Sequence, residues 1–275
     1  MLAIVEYDGT DFAGFQLQAK KVAEPRTVQG ELETALSLCT GERVRVFASS
    51  RTDTGVHARG QAVHFDSEAD IAATPDRLAR AVNANLPEDV KMRALRRVAP
   101  MFHSRYSATS RRYCYRVVSS RSPSPVRRRF VHHVRAPLTV EYMSQASQHF
   151  VGMHDFVAFT AEEARGKSTV RRVYAAEVRL AQSWQTWGAD PTIWHTFEDT
   201  AQLIEIEVEA SGFLRHMMRR IAGTLIRVGN GRMAPDDVAS VLASRDKSLA
   251  GPTAPARGLC LESVTYPDEE MRYPQ

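Results

Sequence analysis

The sequence predicts an α+β protein of two related halves, each an antiparallel sheet backed by helices. Three observations carry this. Strand-like and helix-like runs follow the order β-α-β-β-α-β over residues 2–98. The same order returns over residues 112–266 without obvious sequence similarity. Apolar residues recur at helical or alternating spacing in most of these runs, leaving one face of each for burial.

In the first half, LAIVEYD (2–8) reads as a strand. Val28, Leu32, Leu36 and Cys39 then share one helical face at i, i+4, i+8 and i+11. RVRVFA (43–48) and QAVHF (61–65) are strand-like. Thr74-Pro75 supplies an N-cap and first-turn pair for a helix reaching about residue 85. VKMRALRRV (90–98) closes the half as a strand. This is the split, ferredoxin-like or RRM-like arrangement.

The second half opens with RYCYRVVS (112–119) as a strand and EYMSQASQHFVG (141–152) as a helix. RRVYAAEVRL (171–180) and AQLIEIEVEA (201–210) alternate as strands. A long helix is expected over 213–229, a second over 235–244, and a last strand over 259–266. The boundary between the halves falls near residue 105, giving domains 1–105 and 106–275. Loops concentrate at 121–129 and 182–199. On the long helix, Phe213, Met217, Ile221, Leu225 and Val228 form a core stripe. Arg215, His216, Arg219, Arg220 and Arg227 lie opposite, as a solvated basic face or a functional one.

With 275 residues the chain can bury a sizeable core. Its first residues lack a basic n-region, and acids interrupt them early, which argues against a signal peptide. No apolar run approaches a membrane span. The three cysteines, Cys39, Cys114 and Cys260, are widely spaced and read as buried thiols in a reducing cytoplasm. Between Lys91 and Arg135 lie thirteen lysines and arginines and no carboxylate. The rest of the chain has 23 cations against 32 acids. A basic block on an otherwise acidic chain points to a polyanion partner.

The most informative stretch is SSRTDTGVHARGQAVHF (49–65), where Arg51 and Asp53 sit on a short Gly-containing turn between two strands. One reading is a surface ion pair, worth under about 1 kcal/mol. The other is a carboxylate kept ionised for chemistry. His57 and His64 have no third ligand at a recognised spacing, so a structural role outweighs a metal site.

RTDTGVHA (51–58) followed by GQAVHF (60–65) resembles the motif around the catalytic aspartate of the tRNA pseudouridine synthase A family. EYDGTDFAGFQLQ (6–18), TVQGELETAL (27–36), VNANLP (82–87), FHSRYSATSRRYCYRV (102–117), GMHDFVAFT (152–160), FLRHMMRRIAGTL (213–225) and TAPARGLCLESVTY (253–266) resemble the family in the same order. Departures are Phe15 where Trp is common, Ser50 for Gly, Arg220 for Asn, and a long loop at 182–199.

The resemblance implies conversion of uridine to pseudouridine in the anticodon arm of tRNA, at positions 38, 39 and 40, in a catalytic cleft between the halves. The bond from C1′ to N1 breaks, the base turns, and C1′ is rejoined through C5. By resemblance Asp53 carries the reaction, either attacking C1′ or removing the 2′ proton. Both routes need an ionised carboxylate, and the family pattern points to Arg219 as its cationic partner. Arg51 then fills the gap left by the flipped nucleotide, offsetting part of the extrusion cost of a few kcal/mol. Tyr113 matches the residue set against the target base, which leaves the core role on that strand face to Tyr115. Leu259 packs on the base from the other side. The resemblance further implies no cofactor, no metal, a cytoplasmic homodimer holding one tRNA, and RNA affinity that falls steeply with salt.

Two rival classes fit the residues less well. A non-catalytic RNA-binding module of two RRM-like halves has no use for a carboxylate facing phosphates. A hydrolase built on Asp53 and His57 lacks an oxyanion or metal motif. Trp184, Trp187 and Trp194 all fall in the loop 182–199, read as a packed hairpin tip, a stacking platform or a partner patch.

Overall fold

The structure is a computed structural model that describes residues 1–18, 25–67, 74–161, 168–181 and 201–271. The loop 182–199 and its three tryptophans lie outside the described residues. The strands are β1 (Leu2–Tyr7), β2 (Phe47–Ala48), β3 (His57–His64), β4 (Val90–Arg96), β5 (Ser110–Ser119), β6 (His132–Val134), β7 (Gly152–Asp155), β8 (Val170–Leu180), β9 (Gln202–Ala210) and β10 (Leu259–Thr265). The helices are α1 (Val28–Thr40), α2 (Pro75–Asn85), α3 (Val140–Ser147), α4 (Met217–Gly229) and α5 (Asp237–Ser244). The α+β class holds.

Two compact units form: Met1–Arg112 with Cys260–Gln275, and Tyr113–Leu259. The second half was expected to run from 106 to the end, whereas the last strand packs in the first unit. The reason is parallel pairing of β10 with β3, Cys260 opposite His57 and Leu261 opposite Ala58. Such a long-range contact leaves no local mark in the sequence.

In the first unit the order is β4-β1-β3, with β2 and β10 both on β3. β1 runs antiparallel to β3 and to β4. β2 takes the far end of β3, Phe47 opposite His64, while β10 takes its near end. β1 is central, with Leu2, Ala3, Val5 and Tyr7 all buried. Thr27 caps α1 with its hydroxyl accepting from Gly30 N at 3.2 Å, and Gly41 (φ 74°) ends it in the left-handed region. α1 buries Val28, Leu32 and Leu36 as its spacing predicts; Cys39, in the last turn, is only half-buried. Pro75 is the first residue of α2, which buries Leu78 and Val82.

In the second unit the order is β5-β9-β8-β7, with β6 parallel on β5 and the β8 pairings antiparallel. β6 and β7, of three and four residues, were not foreseen. The helix expected over 141–152 is α3 plus a 3₁₀ turn at Gln148–Phe150, after which Gly152 (φ 116°) starts β7. The helix expected from Phe213 starts at Met217, because His216 (φ 62°) adopts a left-handed conformation. α4 is buried on most sides. A Cβ on Gly223 would overlap the Pro252 carbonyl oxygen, and Gly229 faces Met143 of α3.

Three arginines of the basic face of α4 each bond a backbone carbonyl. Arg219 Nε donates to Ala254 O at 2.7 Å, Arg220 to Lys247 O at 2.6 Å, and Arg227 to Leu249 O at 3.5 Å. These arginines tie down the segment 247–254, while Arg215, ahead of the helix, remains exposed. Among the described residues, no helix is long and apolar enough to cross a membrane.

Candidate active site

The first unit builds a turn around Asp53. Asp53 O accepts from Val56 N at 3.1 Å, closing a tight turn in which Gly55 takes φ 76°. Asp53 is half-buried and Arg51 exposed. The loop after β1 packs against this turn. Phe15 N donates to Thr52 O at 3.1 Å, and Gly14 (φ 105°) lies against the backbone of residues 52–54. A Cβ on Gly9 would overlap the Val56 carbonyl oxygen.

A buried polar network supports the turn from below. Gln61, fully buried on β3, donates to Ser50 O at 2.7 Å and accepts from Ser50 N at 3.3 Å. Its amide also reaches the Tyr7 hydroxyl at 3.3 Å, which in turn bonds the Thr52 hydroxyl at 2.7 Å. Ser50 is thereby held at both backbone groups. Sequence reading missed Gln61, Tyr7 and Thr52 as positioning residues. The available signal was a glutamine at the head of the strand-like run QAVHF (61–65), since a buried amide requires partners.

His57 is also structural. Its Nδ1 accepts from Gly9 N at 3.0 Å and lies 3.1 Å from an Asp8 carboxylate oxygen. One ring nitrogen serves one of these at a time: unprotonated it accepts from Gly9, protonated it donates to Asp8. Both states hold the loop after β1 to the start of β3. His64 Nδ1 accepts from Ser104 N at 3.2 Å. Burial and the neighbouring His103 push the His64 pKa down to about 4.

The second unit carries Tyr113, Arg219 and Leu259. Tyr113 packs edge to face with Phe213, ring centroids 4.8 Å apart at 73°. Tyr115 is fully buried and its hydroxyl donates to Pro255 O at 2.8 Å; burial raises its pKa well above the usual phenol. Arg219 is fixed reciprocally to one residue, since Ala254 N donates back to Arg219 O at 3.1 Å. Gly258 comes so close that a Cβ would meet Tyr115 Cζ at 2.7 Å. Segment 254–258 is therefore laced to both α4 and β5, and Leu259 follows it, buried. The structure thus places Arg51 two residues ahead of the Asp53 turn in the first unit, and Tyr113, Arg219 and Leu259 in the second, with Arg219 bonded to segment 254–258 and Leu259 following it.

Cys114 Sγ and the carboxylates of Glu205 and Glu207 lie within 4.8 Å of one another. Both carboxylates already bind Arg179, at 2.9 and 2.8 Å, and Arg116 Nε donates to Glu205 at 3.0 Å. This is a salt-bridged sheet surface in which the cations already balance the acids.

A profile of the tRNA pseudouridine synthase family matches residues 3–107 and 146–267. That match places the protein among the isomerases that act on tRNA. Among curated relatives, tRNA pseudouridine synthase A of Chloroflexus aurantiacus is 42% identical over 270 residues, covering 98% of this chain and 90% of the relative. The same-named proteins of Halalkalibacterium halodurans (41% over 256 residues, 93% and 88%) and Brevibacillus brevis (38% over 263 residues, 96% and 98%) are similar throughout. The chain belongs to the tRNA pseudouridine synthase family.

Proposed function

We propose that the chain isomerises uridine to pseudouridine at positions 38, 39 and 40 of the tRNA anticodon stem-loop, with Asp53 as the catalytic carboxylate. The observation that supports this most is the presentation of Asp53. A half-buried acid sits on a turn braced from below by Gln61 and flanked by Gly9 and Gly14, beside an exposed arginine. Such bracing is what a reaction at one ribose carbon requires, because misplacement of a reacting group by about 1 Å costs about 100-fold in rate.

In this reading Asp53 acts on the ribose of an extruded uridine. The C1′–N1 bond breaks, the uracil turns, C1′ bonds to C5, and the proton lost from C5 is balanced by one gained at N1. Arg51 occupies the place of the extruded nucleotide. Tyr113 stacks on the uracil, its orientation set by Phe213, and Leu259 and Arg219 complete binding of the nucleoside. The reaction calls for no cofactor. By family resemblance, the enzyme works in the cytoplasm as a homodimer on one tRNA. The basic stretch from Lys91 to Arg135 supplies cations for the phosphate backbone.

The test is site-resolved pseudouridine mapping after incubation with unmodified tRNA transcripts. Modification confined to positions 38–40 is expected. Modification elsewhere in the tRNA, or none, overturns the assignment.

A further inference from the structure

In the first unit the rings of Phe47, His64, His103 and Tyr106 form one cluster. His64 stacks on Phe47 with centroids 5.0 Å apart at 21°; His103 lies 4.4 Å from both His64 and Tyr106. The cluster grades from buried to open: His64 is 8% exposed, Phe47 43% and Tyr106 76%. The Arg105 guanidinium carbon stands 5.6 Å from the Tyr106 ring centroid.

The turn that displays Tyr106 is pinned from beneath. Arg111, itself buried, donates to the carbonyls of Arg105 and Ala108, and the Tyr266 hydroxyl donates to Ser104 O at 2.7 Å. His103 Nδ1 accepts from Arg105 N at 3.1 Å, and His103 N donates to the Ser107 hydroxyl at 3.1 Å. A buried guanidinium spent on fixing an exposed aromatic favours a preorganised contact over a loose surface loop. Tyr106 and Arg105 also fall within the carboxylate-free stretch from Lys91 to Arg135, so the adjoining chain suits a polyanion.

We propose that Tyr106, seated on this ring cluster and flanked by Arg105, stacks an unpaired base of the bound tRNA other than the uridine that is isomerised. An aromatic face accepts any base, and an adjacent arginine adds attraction for the base or its phosphate. This rests on the reading of the chain as a tRNA-modifying enzyme, and it adds a contact to the RNA beyond the uridine itself.

The test compares wild type, Tyr106→Ala and Tyr106→Phe for equilibrium binding of an unmodified tRNA transcript across a salt series, with urea unfolding as a check on folding. Tyr106→Ala should bind about tenfold more weakly at every salt concentration, with an unchanged salt slope, because stacking releases no counterions. Tyr106→Phe should bind like wild type. Wild-type binding by Tyr106→Ala, or an equal loss in Tyr106→Phe, overturns the proposal. So does a shift from dimer to monomer in Tyr106→Ala with tRNA binding retained, which would mark a subunit contact. Failure of the anticodon assignment would appear separately, in the pseudouridine map of the wild-type enzyme.

Discussion

The backbone amide of Gly9 donates to Nδ1 of His57 at 3.0 Å, joining the loop after β1 to the first residue of β3, four residues beyond Asp53. The approach is close enough that no side chain fits at Gly9 without displacing the Val56 carbonyl. Backbone yields less readily than a flexible side chain, so Gly9→Ala should cost about 1–3 kcal/mol in urea unfolding. Turnover should fall more than tRNA affinity, because the displaced group is the turn carrying the acid.

Gln61 offers a cleaner separation of positioning from folding. Gln61→Leu preserves volume but removes the donor to Ser50 O, the acceptor for Ser50 N and the contact with the Tyr7 hydroxyl, a loss of about 1–3 kcal/mol. If the network positions Asp53, kcat should drop while KM for tRNA stays near wild type. Gln61→Glu retains an acceptor for Ser50 N but loses the donor to Ser50 O, so it should be less stable than wild type. Urea unfolding and steady-state kinetics on the same preparations check both.

Gly223 sets helix propensity against packing. In an isolated helix, alanine is favoured over glycine by about 1 kcal/mol. Here the added methyl would overlap Pro252 O, a backbone atom of the segment held by Arg219. Packing wins, and Gly223→Ala should lower the urea midpoint. A raised midpoint would show that segment 250–254 can retreat freely.

The pH dependence of stability follows from His64. Its folded pKa of about 4 lies below the ordinary 6.5, so the unfolded chain binds more protons between those values. The contribution of a neutral His64 is fully present above pH 6.5 and is lost as pH falls through 4. His132, pushed down to about 4 by burial and Arg257, acts in the same direction. Wild type should therefore show a urea midpoint that declines from pH 6.5 to 4, and His64→Gln a shallower decline. Parallel decline in both proteins would remove His64 as a cause.

Much of this was legible in local pattern. The stripe Val28, Leu32 and Leu36 is the buried face of α1, and α2 opens at Pro75 as expected, although Thr74 ahead of it makes no side-chain capping bond. Tyr115 is the core tyrosine of its strand face, although Tyr113 is also mostly covered, by Phe213. What escaped was non-local or very short. Parallel pairing of β10 with β3 joins residues some two hundred positions apart, and β6 is only three residues long. The left-handed His216 interrupts a run whose periodicity continues straight through it, since periodicity reports burial and not backbone dihedrals.

The site was legible unevenly for a related reason. Asp53, Arg51, Tyr113, Arg219 and Leu259 stand in recognisable motifs, whereas Gln61, Tyr7 and Thr52 act through contacts formed only on folding. The arginines of α4 were open to a solvated or a functional reading, and nothing in their spacing reveals that carbonyls of 247–254 lie within reach.

The central claim is tested most directly by Asp53→Asn, which keeps the size and most of the packing of the side chain but removes its charge. Pseudouridine formation on unmodified tRNA transcripts should fall to background, with the equilibrium affinity for the same tRNA close to wild type. Turnover at the wild-type rate by the Asn variant would contradict the account.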